Sequence, residues 1–204
     1  MKHLIRTATV AAALIATTGL GYASTLDQSN PAMNGISSDL NPNLELQQQV
    51  TAGISGVLAG ITLYDDSQSP DNETLSIGIG NAFTSTFVYS EAVTLAPSKG
   101  VSFVGTLIDL SAADIQLTEG ETFVIDLSDG SGGADTGNLG AYAGGDLYFK
   151  AGSNPPRDYT TLRGGSLAFQ TYMDPTPTPE PSSILLLLTG FSAGAGLLRR
   201  RMKV

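Results

Sequence analysis

The residues best suited to chemistry lie in one polar segment, "DLSDGSGGADTGN" at positions 126–138. Hard oxygen ligands on a glycine-rich loop suit calcium, which takes about six to eight of them. The spacing fits neither the EF-hand loop nor the glycine–aspartate repeat of calcium-binding β-helices. Two interpretations therefore stay open, a calcium site and a solvated loop that needs no cofactor. The candidate metal ligands are Asp126, Asp129 and Asp135, with Ser128 and Asn138 beside them.

A second acidic group flanks a proline turn and consists of Asp65, Asp66, Asp71 and Glu73. Paired carboxylates hydrolyse glycosides when roughly 5 to 10 Å separates them. Sequence alone does not supply that distance, and exposed turn chemistry explains these residues without a ligand. Glycan hydrolysis therefore remains a minor alternative.

A third group is aromatic and lies late in the chain, beside two arginines. Exposed rings would provide a stacking surface for sugars. The chain has no tryptophan, and adjacent strand residues must face opposite sides of a sheet, so we expect most of these rings in the core. The group comprises Tyr142, Tyr148, Phe149, Tyr159, Phe169 and Tyr172, with Arg157 and Arg163.

Composition excludes several classes of function. The chain contains no cysteine, and its single histidine, His3, lies near the start. Zinc sites and the common nucleophilic triads are built from these residues, so we expect no enzymatic activity. Between Ser24 and Glu180, four basic residues stand against all nineteen acidic ones. This charge repels phosphate backbones, which excludes nucleic acid as a partner.

The body of the chain alternates short apolar runs with turn-forming clusters, as β-sandwiches do. In "TLSIGIG", Leu75, Ile77 and Ile79 share one face, which predicts a strand buried on one side. "DLSAADIQL" is long enough for one helical turn after a strand. The eight predicted strands are "LELQQQV", "SGVLAGITLY", "TLSIGIG", "TFVYSEAVTL", "VSFVGTLIDL", "TFVIDLS", "GDLYFKA" and "LAFQTYM".

The segments "QQQVTAGISGVLAGITLY", "LTEGETFVIDLSDG" and "YAGGDLYFKAGS" resemble jelly-roll domains of secreted bacterial surface proteins. These domains are similar in outline to carbohydrate-binding modules. The resemblance implies an all-β, jelly-roll-like antiparallel sandwich over residues 24–174. It supports glycan binding only as an analogy between folds.

The first 23 residues have the features of a secretory signal peptide: a basic start, an apolar run and small residues around Tyr22. We predict cleavage between Ala23 and Ser24. The Sec export machinery is therefore an expected partner, and the body of the protein is expected outside the cytoplasm.

The other end carries a proline-rich linker at 175–183, then an apolar segment and basic tail at 184–204. The apolar run predicts a single membrane helix, and positive residues keep such an end cytoplasmic. The orienting cluster is Arg199, Arg200, Arg201 and Lys203.

The linker motif Pro179-Glu180-Pro181, the apolar segment and the terminal arginines together resemble the PEP-CTERM sorting signal of Gram-negative bacteria. The resemblance implies recognition by exosortase, a membrane enzyme similar to cysteine proteases, and delivery to the envelope or extracellular polymer. We therefore expect a structural or exopolysaccharide-associated surface protein, anchored transiently or permanently by its tail. The main alternative is a carbohydrate-binding module.

Overall fold

The structure is a computed structural model of the chain. It describes residues 24–31, 36–39, 43–65, 69–97, 104–128, 134–138, 142–163 and 165–176, with backbone alone for 36–39, 134–138 and 162–163. The predicted signal peptide at 1–23, the Pro179-Glu180-Pro181 motif and the segment at 184–204 lie outside these residues.

Fourteen strands lie within the described residues. They are β1 (Thr25–Asn30), β2 (Ile36–Asp39), β3 (Leu44–Thr51), β4 (Gly56–Tyr64), β5 (Asp71–Ile79), β6 (Thr86–Leu95), β7 (Gly105–Asp109), β8 (Gln116–Leu117), β9 (Thr122–Ser128), β10 (Ala134–Asn138), β11 (Leu147–Ala151), β12 (Arg157–Asp158), β13 (Ser166–Leu167) and β14 (Phe169–Pro175). A 3₁₀ turn at Ser111–Ala113 and the short helix α1 at Tyr159–Arg163 complete the regular structure of this part of the chain.

The strands form two main antiparallel sheets that pack face to face, as a β-sandwich requires. The five-stranded sheet has the order β1-β14-β4-β7, and β8 also pairs with β4. The six-stranded sheet has the order β12-β11-β3-β9-β5-β6. A smaller three-stranded sheet joins β13, β10 and β2. The sequence-based prediction of an antiparallel sandwich is thus confirmed at the level of fold class.

The core lies between the two main sheets and is built from the inward-facing residues of their strands. From β4 it takes Leu58, Ile61 and Leu63, and from β9 it takes Phe123 and Ile125, all essentially inaccessible to solvent. Burying each such side chain contributes about 1.5 to 3 kcal/mol. Because no cysteine is present, apolar packing of this kind must provide the stability.

Each of the eight predicted segments overlaps a strand, and β6 and β9 match their predicted bounds. The expected helical turn is present at Ser111–Ala113. Two local predictions were wrong. Residues in Ala134–Asn138 form β10 and not a loop, because β2 and β13 hydrogen-bond to both edges of this segment. In β5, Ser76 is buried like Leu75, because side chains and a turn cover the outer face of that sheet.

Candidate functional site

A groove of about 580 Å³ opens on the outer face of the five-stranded sheet. Its volume lies within the range of about 300 to 1,000 Å³ that is typical of small-molecule sites. Residues from β4, β7 and β14 build it, together with the first residue of the 3₁₀ turn and the residue before β1. The lining consists of Ser24, Ala59, Gly60, Leu107, Asp109, Ser111, Tyr172 and Asp174.

The floor of the groove is a glycine in the middle of the sheet. Gly60 pairs with Tyr172 on one side and with Asp109 on the other, so these three residues form a row across three strands. Neighbouring strands are about 4.8 Å apart, which separates the outer two backbones by roughly 10 Å. A Cβ added at Gly60 would approach the carbonyl oxygen of Ile108 to 3.0 Å and Cδ1 of Leu107 to 3.4 Å. The absence of a side chain therefore keeps the space open.

One wall of the groove is aromatic, and a network of hydrogen bonds holds it in place. The hydroxyl of Tyr172 donates to Oε1 of Gln170 at 3.1 Å, and the hydroxyl of Tyr64 donates to the same oxygen at 3.1 Å. Nε2 of Gln170 donates to Oγ of Ser29 at 3.4 Å. Burial, followed by the neighbouring Tyr172, raises the pKa of Tyr64. Tyr64 therefore stays protonated at neutral pH, and these hydrogen bonds orient the ring of Tyr172.

The opposite wall combines an exposed apolar side chain with a carboxylate. Leu107 on the edge strand β7 is 66% exposed, the most exposed large hydrophobic side chain in the described residues. The backbone N–H of Ser111 donates to Oδ1 of Asp109 at 2.9 Å. Hydrogen bonds from the Ser111 side chain and backbone lower the pKa of Asp109, which keeps this carboxyl ionised.

A second polar cluster lies on the outer face of the six-stranded sheet, and its central carboxyl is inaccessible to solvent. Asp126 on β9 is only 2% exposed and lies between Gln47 on β3 and Ser76 on β5. Burial and the nearby Glu45 carboxylate raise the pKa of Asp126 to about 8, while hydrogen bonds from Gln47 and Ser128 oppose this rise. Asp126 therefore keeps its proton well above the pH at which a free aspartate loses it, and it shares a hydrogen bond with Glu45.

A turn at residues 81–85 lies over Gln47, the neighbour of Asp126, while the side chain of Glu45 stays 27% exposed. Nε2 of Gln47 donates to Oε1 of Glu45 at 2.7 Å, and Oε1 of Gln47 accepts from the backbone N–H of Phe83 at 2.5 Å. Nζ of Lys150 lies 3.6 Å from Oε2 of Glu45 and 5.8 Å from the centre of the Phe83 ring. Phe83 itself has a φ of 57°, a left-handed conformation that is unusual for a bulky residue.

The structure does not bring the predicted calcium ligands together among the described residues. Asp126 is buried on β9, Asp129 lies outside the described residues, and Asp135 lies on β10, where its backbone pairs with Ser38. Within the described part of the chain, no three acidic or histidine side chains are grouped as a metal site would require. The interpretation of 126–138 as one solvated loop was wrong for Asp126, because β9 continues through Ser128.

The second acidic group is also placed differently from the sequence-based expectation. Asp65, Asp71 and Glu73 are buried and not part of an exposed turn, while Asp66 lies outside the described residues. Asp71 and Glu73 belong to β5 and alternate with Leu75 along one face of that strand. They are thus part of the packed structure at the end of the core.

The late aromatic residues are divided between the core and both outer faces. Tyr142 packs edge-on against Phe169 with ring centres 5.1 Å apart, and Phe149 packs edge-on against Tyr159 at 5.7 Å. Tyr172 alone among these rings lines the groove. Arg157 is exposed on β12, and the side chain of Arg163 lies outside the description. These residues therefore do not form one stacking surface.

Sequence analysis overlooked Gly60, Leu107, Asp109 and Asp174 as site residues. The alternation in "GTLID" places Leu107 and Asp109 on one face and Ile108 on the other. That alternation could have pointed to the site, because it places a leucine and an aspartate together on the outer face of one strand.

No protein-family model and no curated protein sequence matches this chain. Function must therefore be inferred from the residues themselves. In the part of the chain that the structure describes, no helix is both long and apolar enough to cross a bilayer.

Proposed function

We propose that this chain is an exported envelope or extracellular-matrix protein that associates with extracellular polysaccharide through the groove on its five-stranded sheet. The row Tyr172–Gly60–Asp109 carries the proposal. It sets an aromatic face opposite a carboxylate across an open floor. Sugar rings present apolar C–H faces and hydroxyl edges, and this arrangement offers a partner for each. The proposed role is binding without catalysis and without a metal cofactor.

The strand bounds support export and tail-directed sorting. β1 begins at Thr25, one residue after the predicted cleavage site, so removal of the leader would leave the strand complete. β14 ends at Pro175, where the proline-rich linker begins. Exosortase would then act on the Pro179-Glu180-Pro181 motif beyond the last strand.

We further propose a jelly-roll topology for the sandwich, with β11 and β12 added at one edge of the six-stranded sheet. The order of the principal strands supports it, because β1-β14-β4-β7 face β3-β9-β5-β6. Successive principal strands alternate between these two sets, except that β5 and β6 pair as neighbours in one sheet, as in the two Greek keys of a jelly roll.

Binding is tested with the mature chain in detergent micelles and polysaccharide isolated from the producing cells. Leu107→Asp should weaken co-sedimentation at least about fivefold, since it removes the apolar wall and adds charge. Val88→Asp is the matched control, because Val88 is a 53% exposed residue on the edge strand of the other sheet. Equal loss in both variants, or retention of the parent's binding by Leu107→Asp, would contradict the proposal.

Sorting is tested in a host that carries exosortase. Glu180→Ala should leave the protein in the membrane fraction at its unprocessed mass, while Glu119→Ala, an exposed glutamate of the body, should be processed like the parent. If Glu180→Ala is released and migrates like the parent, the tail is only an anchor.

A further inference from the structure

The predicted first residue of the mature protein lines the groove. Ser24 is exposed and belongs to the lining together with Asp174. The strand pairing explains this position, because Leu26 pairs with Tyr172 and Thr25 pairs with Met173. Extending this antiparallel register by one residue sets Ser24 opposite Asp174, and both residues line the groove.

Cleavage of the leader changes the charge at this point. Hydrolysis by a signal peptidase consumes one water molecule and breaks the C–N bond between Ala23 and Ser24. Ala23 leaves with a new carboxylate, and Ser24 keeps an amine. An α-amino group has a pKa of about 7.7 to 8.0, so most of it is protonated at neutral pH. A neutral peptide N–H thus becomes an ammonium group with three donors.

We propose that leader cleavage completes the groove as a site for a neutral sugar, with the Ser24 α-ammonium group as one of its binding elements. This inference rests on the proposed function and on cleavage between Ala23 and Ser24. The register sets the new ammonium group on the backbone opposite Asp174, and Asp174 and Asp109 both line the groove. Between the walls formed by Leu107 and Tyr172, the groove then offers charged hydrogen-bond donors and acceptors to the hydroxyl groups of the sugar.

The charge of the domain selects among sugars. Two carboxylates accompany the single ammonium group in the groove, and four basic residues stand against nineteen acidic ones between Ser24 and Glu180. Sulfated or uronic-acid polymers would meet net repulsion. Neutral hexose polymers carry no charge and would not be repelled, so they are the class of ligand that this site fits.

The test compares three forms of the full mature chain in detergent micelles. The first begins at Ser24, the second has an acetylated Ser24 amine, and the third begins at Gly21 and so keeps three leader residues. Maltohexaose and cellohexaose serve as neutral probes, and an alginate oligomer serves as the anionic one. We expect the first form to bind a neutral probe at least about tenfold more tightly than the other two, the loss expected for a charge-assisted hydrogen bond. The anionic probe should not bind.

Two readouts do not depend on glycan binding. Mass spectrometry of the exported protein should find Ser24 as its first residue, and a different start would overturn the inference. The pH dependence of amine labelling should give Ser24 a pKa that Asp174→Asn lowers, because the carboxylate stabilises the ammonium form. Asp146→Asn, at an exposed carboxyl outside the groove lining, is the control and should leave this pKa unchanged.

The outcomes separate the two proposals. If the acetylated chain binds as tightly as the mature one, the amine has no role and the inference fails, while the proposed function stands. If the mature chain binds no neutral probe and no polysaccharide from the producing cells, the proposed function and the class of ligand fail together. An amine pKa that is equal in the parent and in Asp174→Asn would overturn the placement of the ammonium group beside that carboxylate.

Discussion

The two outer faces of the sandwich use similar residue types in opposite ways. On the five-stranded sheet, Tyr172 and the carboxylate of Asp109 flank an open glycine floor. On the six-stranded sheet, Asp126 is buried and shares a hydrogen bond with Glu45, and the turn at 81–85 lies over the neighbouring Gln47. Polar residues facing away from the core therefore do not identify a binding site. A site also requires that its polar groups remain accessible and that a surface lies free between them.

One glycine on each outer face determines whether that face is open or covered. Gly60 leaves a gap between two wall residues, whereas Gly78 lets the covering turn approach the sheet. A Cβ added at Gly78 would lie 2.5 Å from Oγ and 2.8 Å from Cβ of Ser85. The same residue type thus opens one face and allows the other to close.

The largest expected effect concerns the pH dependence of the closed face. Folding raises the pKa of Asp126 to about 8, so the folded state holds a proton that the unfolded state releases near pH 4. Stability should therefore be greatest below about pH 4 for this group and fall as pH rises toward 8, with a slope of up to about 1.4 kcal/mol per pH unit. Urea denaturation from pH 5 to 9 measures this slope.

Asp126→Asn should flatten that slope, because an amide carries no titrating proton and fits the same space. Glu119→Gln removes an exposed carboxyl and should keep the slope of the parent. A parent whose stability is flat from pH 5 to 8, or an Asp126→Asn variant with the parent's slope, would show that Asp126 is not buried as described.

The next effect distinguishes the two glycines. Gly78→Ala should lower the free energy of unfolding by about 1 to 3 kcal/mol, because Ser85 and its turn must move away from the sheet. Gly60→Ala meets its closest backbone atom at 3.0 Å, so we expect a smaller loss of stability together with weaker glycan binding. Thermal denaturation and co-sedimentation measure the two quantities, and a reversed order of stability would contradict the comparison.

A smaller effect separates two tyrosines on the two outer faces. Tyr172→Ala should weaken binding of the polysaccharide about tenfold, the effect of losing one aromatic contact surface. Tyr148→Ala removes a partly exposed tyrosine from the six-stranded sheet and should bind like the parent. Both variants are compared by co-sedimentation at equal protein concentration, and equal affinity in both would place the ligand elsewhere.

The smallest expected effect is that of calcium. Asp126 is engaged with Glu45, Gln47 and Ser128, so we expect millimolar calcium to leave the Tm of the mature chain unchanged. A ligand that binds only the folded state would raise it. An increase that Asp129→Ala removes would restore the calcium interpretation of residues 126–138.

Sequence determined the parts of this protein that depend on contiguous residues. β6 and β9 follow from short apolar runs between turn signals. The export prediction follows from the composition of the first 23 residues, and the sorting prediction from the resemblance of the tail to a known signal. β10 did not follow, because "ADTGN" resembles a turn until β2 and β13 pair with it. A local sequence pattern predicts a strand only where the apolar residues of that segment themselves drive its burial.

Tertiary structure decided the sites. Ser24, Gly60, Leu107 and Tyr172 are far apart in the chain and meet only because β1, β4, β7 and β14 are neighbours in one sheet. Asp126 was recognisable as an acid, but its burial depends on Glu45 and on the turn at 81–85 from two other parts of the chain. The accessibility and protonation of a side chain depend on what packs against it, and strand order and register set that packing.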